Sequence, residues 1–78
     1  KNSKERIIAF LKRYGKTFGK EMVDGLMVRP FLTHKEIADL TATARQTVNL
    51  VLNELVDQEI IHYTRRYLII KDLNWTSK

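Results

Sequence analysis

A mainly α fold, in which a three-helix core carries small β hairpins, is predicted for this 78-residue chain by three observations. The first is a pair of closely spaced helix starts. Thr33 with Glu36 and Thr43 with Gln46 both fit S/T-x-x-E/Q, in which a hydroxyl and a carboxylate or amide satisfy the free N–H groups of a first turn. The second is the stripe Val48, Val51, Leu52, Leu55 and Val56, whose i, i+3, i+4, i+7, i+8 spacing is that of one buried helix face. The third is a pair of β-rich stretches, each interrupted by turn residues.

Taken in chain order, residues 3–14 form an amphipathic helix with Ile7, Ile8, Leu11 and Tyr14 on one side and Lys4, Lys12 and Arg13 on the rest. Gly15 is expected to stop it, because glycine readily ends helices. Residues 15–20 then read as a basic connector. Residues 21–29 read as a hairpin turning on Asp24-Gly25, a pair that suits the positive φ values of a two-residue turn. Pro30 ends the second strand and imposes an extended entry to Thr33. Ile37, Ala38 and Leu40 supply the inner face of the next helix, with Ala38 small enough for a close crossing. Two capping boxes ten residues apart leave room for two helical turns and a tight corner, the spacing of a helix-turn-helix. Residues 60–63 and 67–71 make a terminal hairpin tipped by Thr64-Arg65-Arg66. Residues 74–78 are expected to fray, with Leu73 and Trp75 folding back on the core. Helix, hairpin, helix-turn-helix and terminal hairpin together describe a winged helix-turn-helix domain over residues 1–78.

With 44% apolar residues the chain buries a modest core, and its stability is expected to be on the order of a few kcal/mol. It has no cysteine, which excludes a disulfide framework or a cysteine-ligated zinc and makes an intracellular setting the simpler reading. No apolar run reaches the ~20 residues of a membrane span. The abrupt start on Lys-Asn-Ser-Lys reads as part of a longer polypeptide. Net charge is +5, unevenly spread: residues 1–20 hold seven Lys or Arg against one acid, residues 21–60 three against seven, and residues 61–78 four against one. The helix-turn-helix itself is therefore net acidic. Most of its acids lie away from the start of its second helix, and Asp39 is the one that could oppose an anionic partner.

The outward face of that second helix carries Arg45, Gln46, Asn49, Leu50 and Asn53. Arginine, glutamine and asparagine match the donor and acceptor pattern of base edges in the major groove, and Arg45 suits guanine O6 and N7. Gln46 has two competing uses, closing a cap or reading adenine. Leu50 fits a thymine methyl or another part of a longer protein. Arg65 and Arg66 suit phosphates, or are simply soluble turn residues. His34 and His62 stand far apart with no companion ligands, so no metal site is expected, and no nucleophile–base pair, glycine-rich phosphate loop or carboxylate pair suggests an enzyme.

The residues Leu32-Thr33-His34-Lys35-Glu36-Ile37-Ala38, then Ala44-Arg45-Gln46-Thr47-Val48, then Leu52-Asn53-Glu54-Leu55 and a short Ile-rich wing resemble the C-terminal DNA-binding domain of the Crp/Fnr family of bacterial transcription regulators. The resemblance implies a cytoplasmic, homodimeric regulator whose sensor domain, a cyclic-nucleotide-binding-like β-roll taking a cyclic nucleotide or other small effector, and dimerisation helix lie outside these residues. No cofactor is expected in this domain. By the same resemblance Arg45, Gln46, Asn49 and Leu50 read bases, while Thr33, His34, Thr43, Thr47, Arg65 and Arg66 contact phosphates. The implied partners are double-stranded DNA with a palindromic operator, and RNA polymerase through the hairpin around Asp24-Gly25. This chain departs from many relatives in having Ala42 and Ala44 where they have Gly and Ser, so Thr43 is expected to take the cap. It also has Gln46 and Leu50 where readers of a TGTGA-like half-site have Glu and Arg, so that operator is not carried over. The rival reading is a winged-helix protein–protein interaction module docking through Leu50 and the wing.

Overall fold

The computed structural model describes residues 2–76, so residues 77–78 of the expected frayed tail lie outside the described residues. The first helix, α1 (Ser3–Phe18), opens on Asn2, whose side chain accepts the Glu5 N–H at 2.8 Å. It does not stop at Gly15. That glycine is buried within the last turns, and the helix closes at Gly19, whose N–H bonds the Gly15 carbonyl at 2.8 Å. The reason is packing: a Cβ on Gly15 would lie 2.5 Å from Cδ1 of Ile70, so the missing side chain lets α1 approach the sheet closely.

The two predicted hairpins are one sheet. Strands β1 (Lys20–Met22), β2 (Gly25–Val28), β3 (Ile61–Tyr63) and β4 (Leu68–Ile70) pair antiparallel in the order β1-β2-β4-β3. The join is β2 to β4, with Leu26 opposite Ile70 and Val28 opposite Leu68. This buries Leu26, Val28, Ile61, Leu68 and Ile70 on one face against the helices. Met22 pairs with Gly25, so the first turn is Val23-Asp24 and not Asp24-Gly25. Gly25 serves instead as the first residue of β2, at φ 136°, where any Cβ would strike the carbonyl of Ile70. β2 ends at Val28 before a cis Arg29-Pro30 peptide.

The helix-turn-helix follows. Helix α2 (His34–Thr41) opens on the predicted capping box: Thr33 Oγ1 accepts the Glu36 N–H at 3.1 Å, and the Glu36 carboxylate accepts the Thr33 N–H at 2.8 Å. Its inner face is Ile37, Ala38 and Thr41. Leu40, expected inside, is 63% exposed, because it lies well off the arc that Ile37, Ala38 and Thr41 share. Thr41 tolerates burial because its hydroxyl donates to the Ile37 carbonyl at 2.7 Å. Ala42 turns the chain in the left-handed region at φ 55°, and the Thr43 N–H bonds the Ala38 carbonyl at 2.9 Å.

Helix α3 (Arg45–Asp57) starts after Ala44, which forms no side-chain cap. The second capping box is therefore not formed. Thr43 shares its hydroxyl with Thr41 at 2.9 Å, and Gln46 is free of a cap. The far end closes as a Schellman turn, with Glu59 at φ 59°, its N–H on Val56 O at 2.9 Å and the Ile60 N–H on Leu55 O at 2.9 Å. A contrast in stability follows from these two starts. Thr33→Ala is expected to lower unfolding free energy by about 1 kcal/mol and Ala44→Ser to raise it by a similar amount. Denaturant melts that show no shift for either variant would contradict the cap geometry.

Helix α1 locks the pair in place. The Arg6 guanidinium donates from Nε to Thr41 O at 3.0 Å and from its terminal nitrogen to Ala42 O at 3.1 Å, satisfying carbonyls at the C-terminus of α2. A short helix α4 (Leu73–Thr76) folds back on α1. Trp75 is half-buried with the Lys12 ammonium 5.3 Å from its ring, whereas Leu73 remains 44% exposed.

Candidate nucleic-acid interface

Val48 and Leu52 are completely buried, and Val51 and Leu55 nearly so, which fixes the rotation of α3 about its axis. The opposite face is left to water. It presents Arg45, Gln46, Asn49, Leu50 and Asn53, all exposed, with Leu50 at 66%. Leu50 is the one large apolar side chain on this otherwise polar face.

The surface beside this face is built by three elements. One shallow concavity is lined by His34, Ala44, Arg45, Gln46 and Asn49. An adjoining one is lined by Thr33, His34, Lys35, Arg45, Tyr63, Thr64 and Arg65, with Phe31 and Leu32 beneath. His34 and Arg45 belong to both, so the start of α2, the start of α3 and the wing form one continuous surface. The fold thus brings together Thr33, His34, Arg45, Gln46, Asn49 and Arg65. Leu50 and Arg66 are exposed outside the two concavities. Thr43 and Thr47 are half-buried, and the Thr43 hydroxyl is shared with Thr41.

The wing tip is held by Thr64. Its hydroxyl accepts the N–H groups of Arg66 at 3.1 Å and Tyr67 at 3.3 Å, and its own N–H bonds Tyr67 O at 2.9 Å. This turn exposes the Arg65 and Arg66 side chains. The Arg66 carbonyl accepts the Phe31 N–H at 3.1 Å, which ties the tip to the segment entering α2. Tyr63 completes the connection, with its ring 5.9 Å from Phe31 and 5.7 Å from His34. Sequence reasoning missed Tyr63 as a wall of this surface; its place at the end of a strand, just before a dibasic turn, was the available signal. It also missed Arg6, which lines neither concavity but anchors the corner of the helix-turn-helix.

No carboxylate lines either concavity. Glu36 is held in its cap, Asp39 pairs with Lys35 at 3.1 Å, and Glu54 pairs with Lys4 of α1 at 2.9 Å. These exposed pairs add little stability, but they place Asp39 and Glu54 next to cations, and neither carboxylate lines the concavities. Burial, with the Arg45 cation second, holds the His34 imidazole below its ordinary pKa. His62 is exposed on β3, and among the described residues no group of three or more His, Cys, Asp or Glu could hold a metal ion. No helix among them is long and apolar enough to cross a membrane.

A buried three-helix core, a four-stranded sheet ending in a basic tip and an outward polar helix define a winged helix-turn-helix domain. A family model, the Crp-like helix-turn-helix domain, matches residues 5–75. The chain belongs to that family, the DNA-binding domain of Crp/Fnr transcription regulators. It is 27% identical over 74 residues to the HTH-type transcriptional regulator ArcR of Staphylococcus epidermidis, covering 94% of this chain and 32% of that protein. A CooA mutant from Carboxydothermus hydrogenoformans superposes with a TM-score of 0.88 at 29% identity, over 99% of this chain and 36% of its own. Oxidized CprK in complex with o-chlorophenolacetic acid shares the fold, with a TM-score of 0.88 at 24% identity over 97% of this chain and 32% of its own. The chain therefore spans about a third of the length of these relatives.

Proposed function

We propose that α3 enters the DNA major groove and reads bases through Arg45, Gln46, Asn49 and Leu50, while Thr33, His34, Thr43, Thr47, Arg65 and Arg66 position the domain on phosphates. The observation that carries this reading is the continuous surface around His34 and Arg45, which joins the exposed start of α3 to the wing and has no carboxylate in its lining. Each role follows from chemistry. Arg45 offers two parallel donors to a guanine edge, and Gln46 and Asn49 offer a donor and an acceptor to adenine. Leu50 offers a methyl-sized apolar contact to thymine. The Thr33 hydroxyl accepts from Glu36 and keeps its own proton to donate to a phosphate oxygen. Thr43 is the weakest member of the set, because its hydroxyl is already shared with Thr41.

In this reading the whole regulator is a homodimer that binds a palindromic operator with half-sites about one helical turn apart. A small effector such as a cyclic nucleotide acts on a sensor domain outside these residues. RNA polymerase is a further partner through the first hairpin, whose turn residue Val23 is fully exposed. The test is selection of random duplex DNA by the full-length dimer at two salt concentrations. An enriched palindrome with salt-sensitive affinity is the expected result. No enrichment, with or without candidate effectors, would favour instead a protein-docking module that uses Leu50.

The wing carries its own expectation. Arg65→Ala and Arg66→Ala should weaken binding to all sequences alike, and each should reduce the slope of log affinity against log salt by about one. Parent and variants with the same slope would remove the wing from the phosphate contacts.

A further inference from the structure

We propose that His34 is a proton-linked phosphate contact: DNA binding draws one proton onto its imidazole, so affinity for duplex DNA rises as the pH falls. This rests on the DNA-binding reading and adds a regulation of the same site.

The setting of His34 is unusual in its charge. It is the first residue of α2, half-buried where α2, α3 and the wing converge, with its ring 5.7 Å from that of Tyr63 on β3. The groups around it are Arg45 from α3, Lys35 from α2, Arg65 from the wing turn and the Tyr63 phenol. Glu36, two residues along, is committed to the Thr33 N–H at 2.8 Å and lines neither concavity. Lys35 is directed to Asp39 at 3.1 Å. The imidazole therefore sits among cations, at the positive end of a helix dipole, with no carboxylate in the lining to offset a charge of its own. Burial and Arg45 both oppose its protonation in the free protein, burial more strongly.

A DNA phosphate placed against Arg65 and the His34 ring, beside the groove-reading Arg45, reverses the sign of that local field. The imidazolium form then donates a charge-assisted hydrogen bond to a phosphate oxygen, and the neutral form does so less well. At a pH between the free and bound values up to one proton is taken from solvent per occupied site, and no covalent bond other than that N–H changes. The direction follows from linkage. Binding raises the imidazole pKa, so affinity is level above the bound-state value, climbs as pH falls through the interval between bound and free values, and levels again below the free-state value. Each unit of separation between the two values corresponds to a tenfold gain in affinity.

The experiment titrates the 78-residue chain with a mixed-sequence duplex at low salt, where phosphate contacts dominate, and reads fluorescence anisotropy from about pH 5.5 to 8.5. The imidazole resonances of His34 and His62 are followed by NMR, free and bound. The expected result is a rise in the His34 pKa on binding, a pH-dependent affinity in the parent and in His62→Gln, and a flat profile in His34→Gln. His34→Arg should bind at the upper level across the range. A His34 pKa unchanged by DNA, or a pH profile that survives in His34→Gln, overturns the proton linkage while leaving DNA binding intact. Absence of any duplex binding by the folded chain and by the full-length dimer alike overturns both readings together.

Discussion

Arg45→Ala is expected to remove about 1–3 kcal/mol of discrimination at one base pair of each half-site, the worth of a bidentate contact to guanine. Val48 and Leu52, which orient α3, are untouched, so the fold and melting behaviour should stay close to the parent's. Non-specific binding should fall much less than specific binding. Competition between a selected operator and its single-base variants measures this directly. The protein-docking alternative predicts the opposite outcome, with the same preference, or the same lack of one, in parent and variant. Retention of specific binding by the full-length Arg45→Ala protein would therefore end the groove-reading assignment.

Gly25→Ala is expected to cost about 3 kcal/mol or more, because a strained backbone and an overpacked contact coincide at one residue. Gly25 lies at φ 136°, where side-chain-bearing residues are rarely found, and its missing Cβ faces the backbone carbonyl of Ile70. Backbone cannot move aside without breaking the β2–β4 ladder that joins the two hairpins. In a domain with only a few kcal/mol in hand, the variant should be largely unfolded by thermal melting or circular dichroism. Gly15→Ala is the useful contrast. Its added Cβ meets Cδ1 of Ile70 at 2.5 Å, the movable end of a side chain, and alanine gains roughly 1 kcal/mol of helix propensity over glycine. Its net change should stay within about 1 kcal/mol. Equal destabilisation by the two substitutions would show that steric closeness to Ile70, and not backbone conformation, governs both.

The candidate site was legible wherever a residue's role depends on its immediate neighbours. Arg45, Gln46, Asn49 and Leu50 were readable because the apolar stripe on α3 leaves them only one direction in which to point. The dibasic tip was readable because Thr64 and the two arginines separate two β-rich runs. Gln46 was ambiguous in sequence between cap and reader. The structure removes the cap, because Ala44 takes the N-cap position and Thr43 turns its hydroxyl to Thr41. That choice depends on where Thr41 is buried, which in turn depends on α1 and α3. Tyr63 and Arg6 were invisible as contributors for the same reason: each acts across a long sequence separation, on His34 and on the end of α2 respectively.

By itself, then, the sequence determined the elements whose causes are local: the capped start of α2 at Thr33, the buried and exposed faces of α3, the basic wing tip and the winged helix-turn-helix order. Only the tertiary structure decided that Gly15 continues α1, that Leu40 faces water, that the first turn is Val23-Asp24, and that two hairpins merge through β2 and β4. It also decided that His34, Tyr63 and Arg65 gather beside Arg45. Capping and helical periodicity act within a few residues and can be read along the chain. Close approach of α1 to Ile70, the pairing of β2 with β4 and the meeting of wing with helix are set by which distant surfaces exclude water together, and those surfaces exist only once the chain has folded.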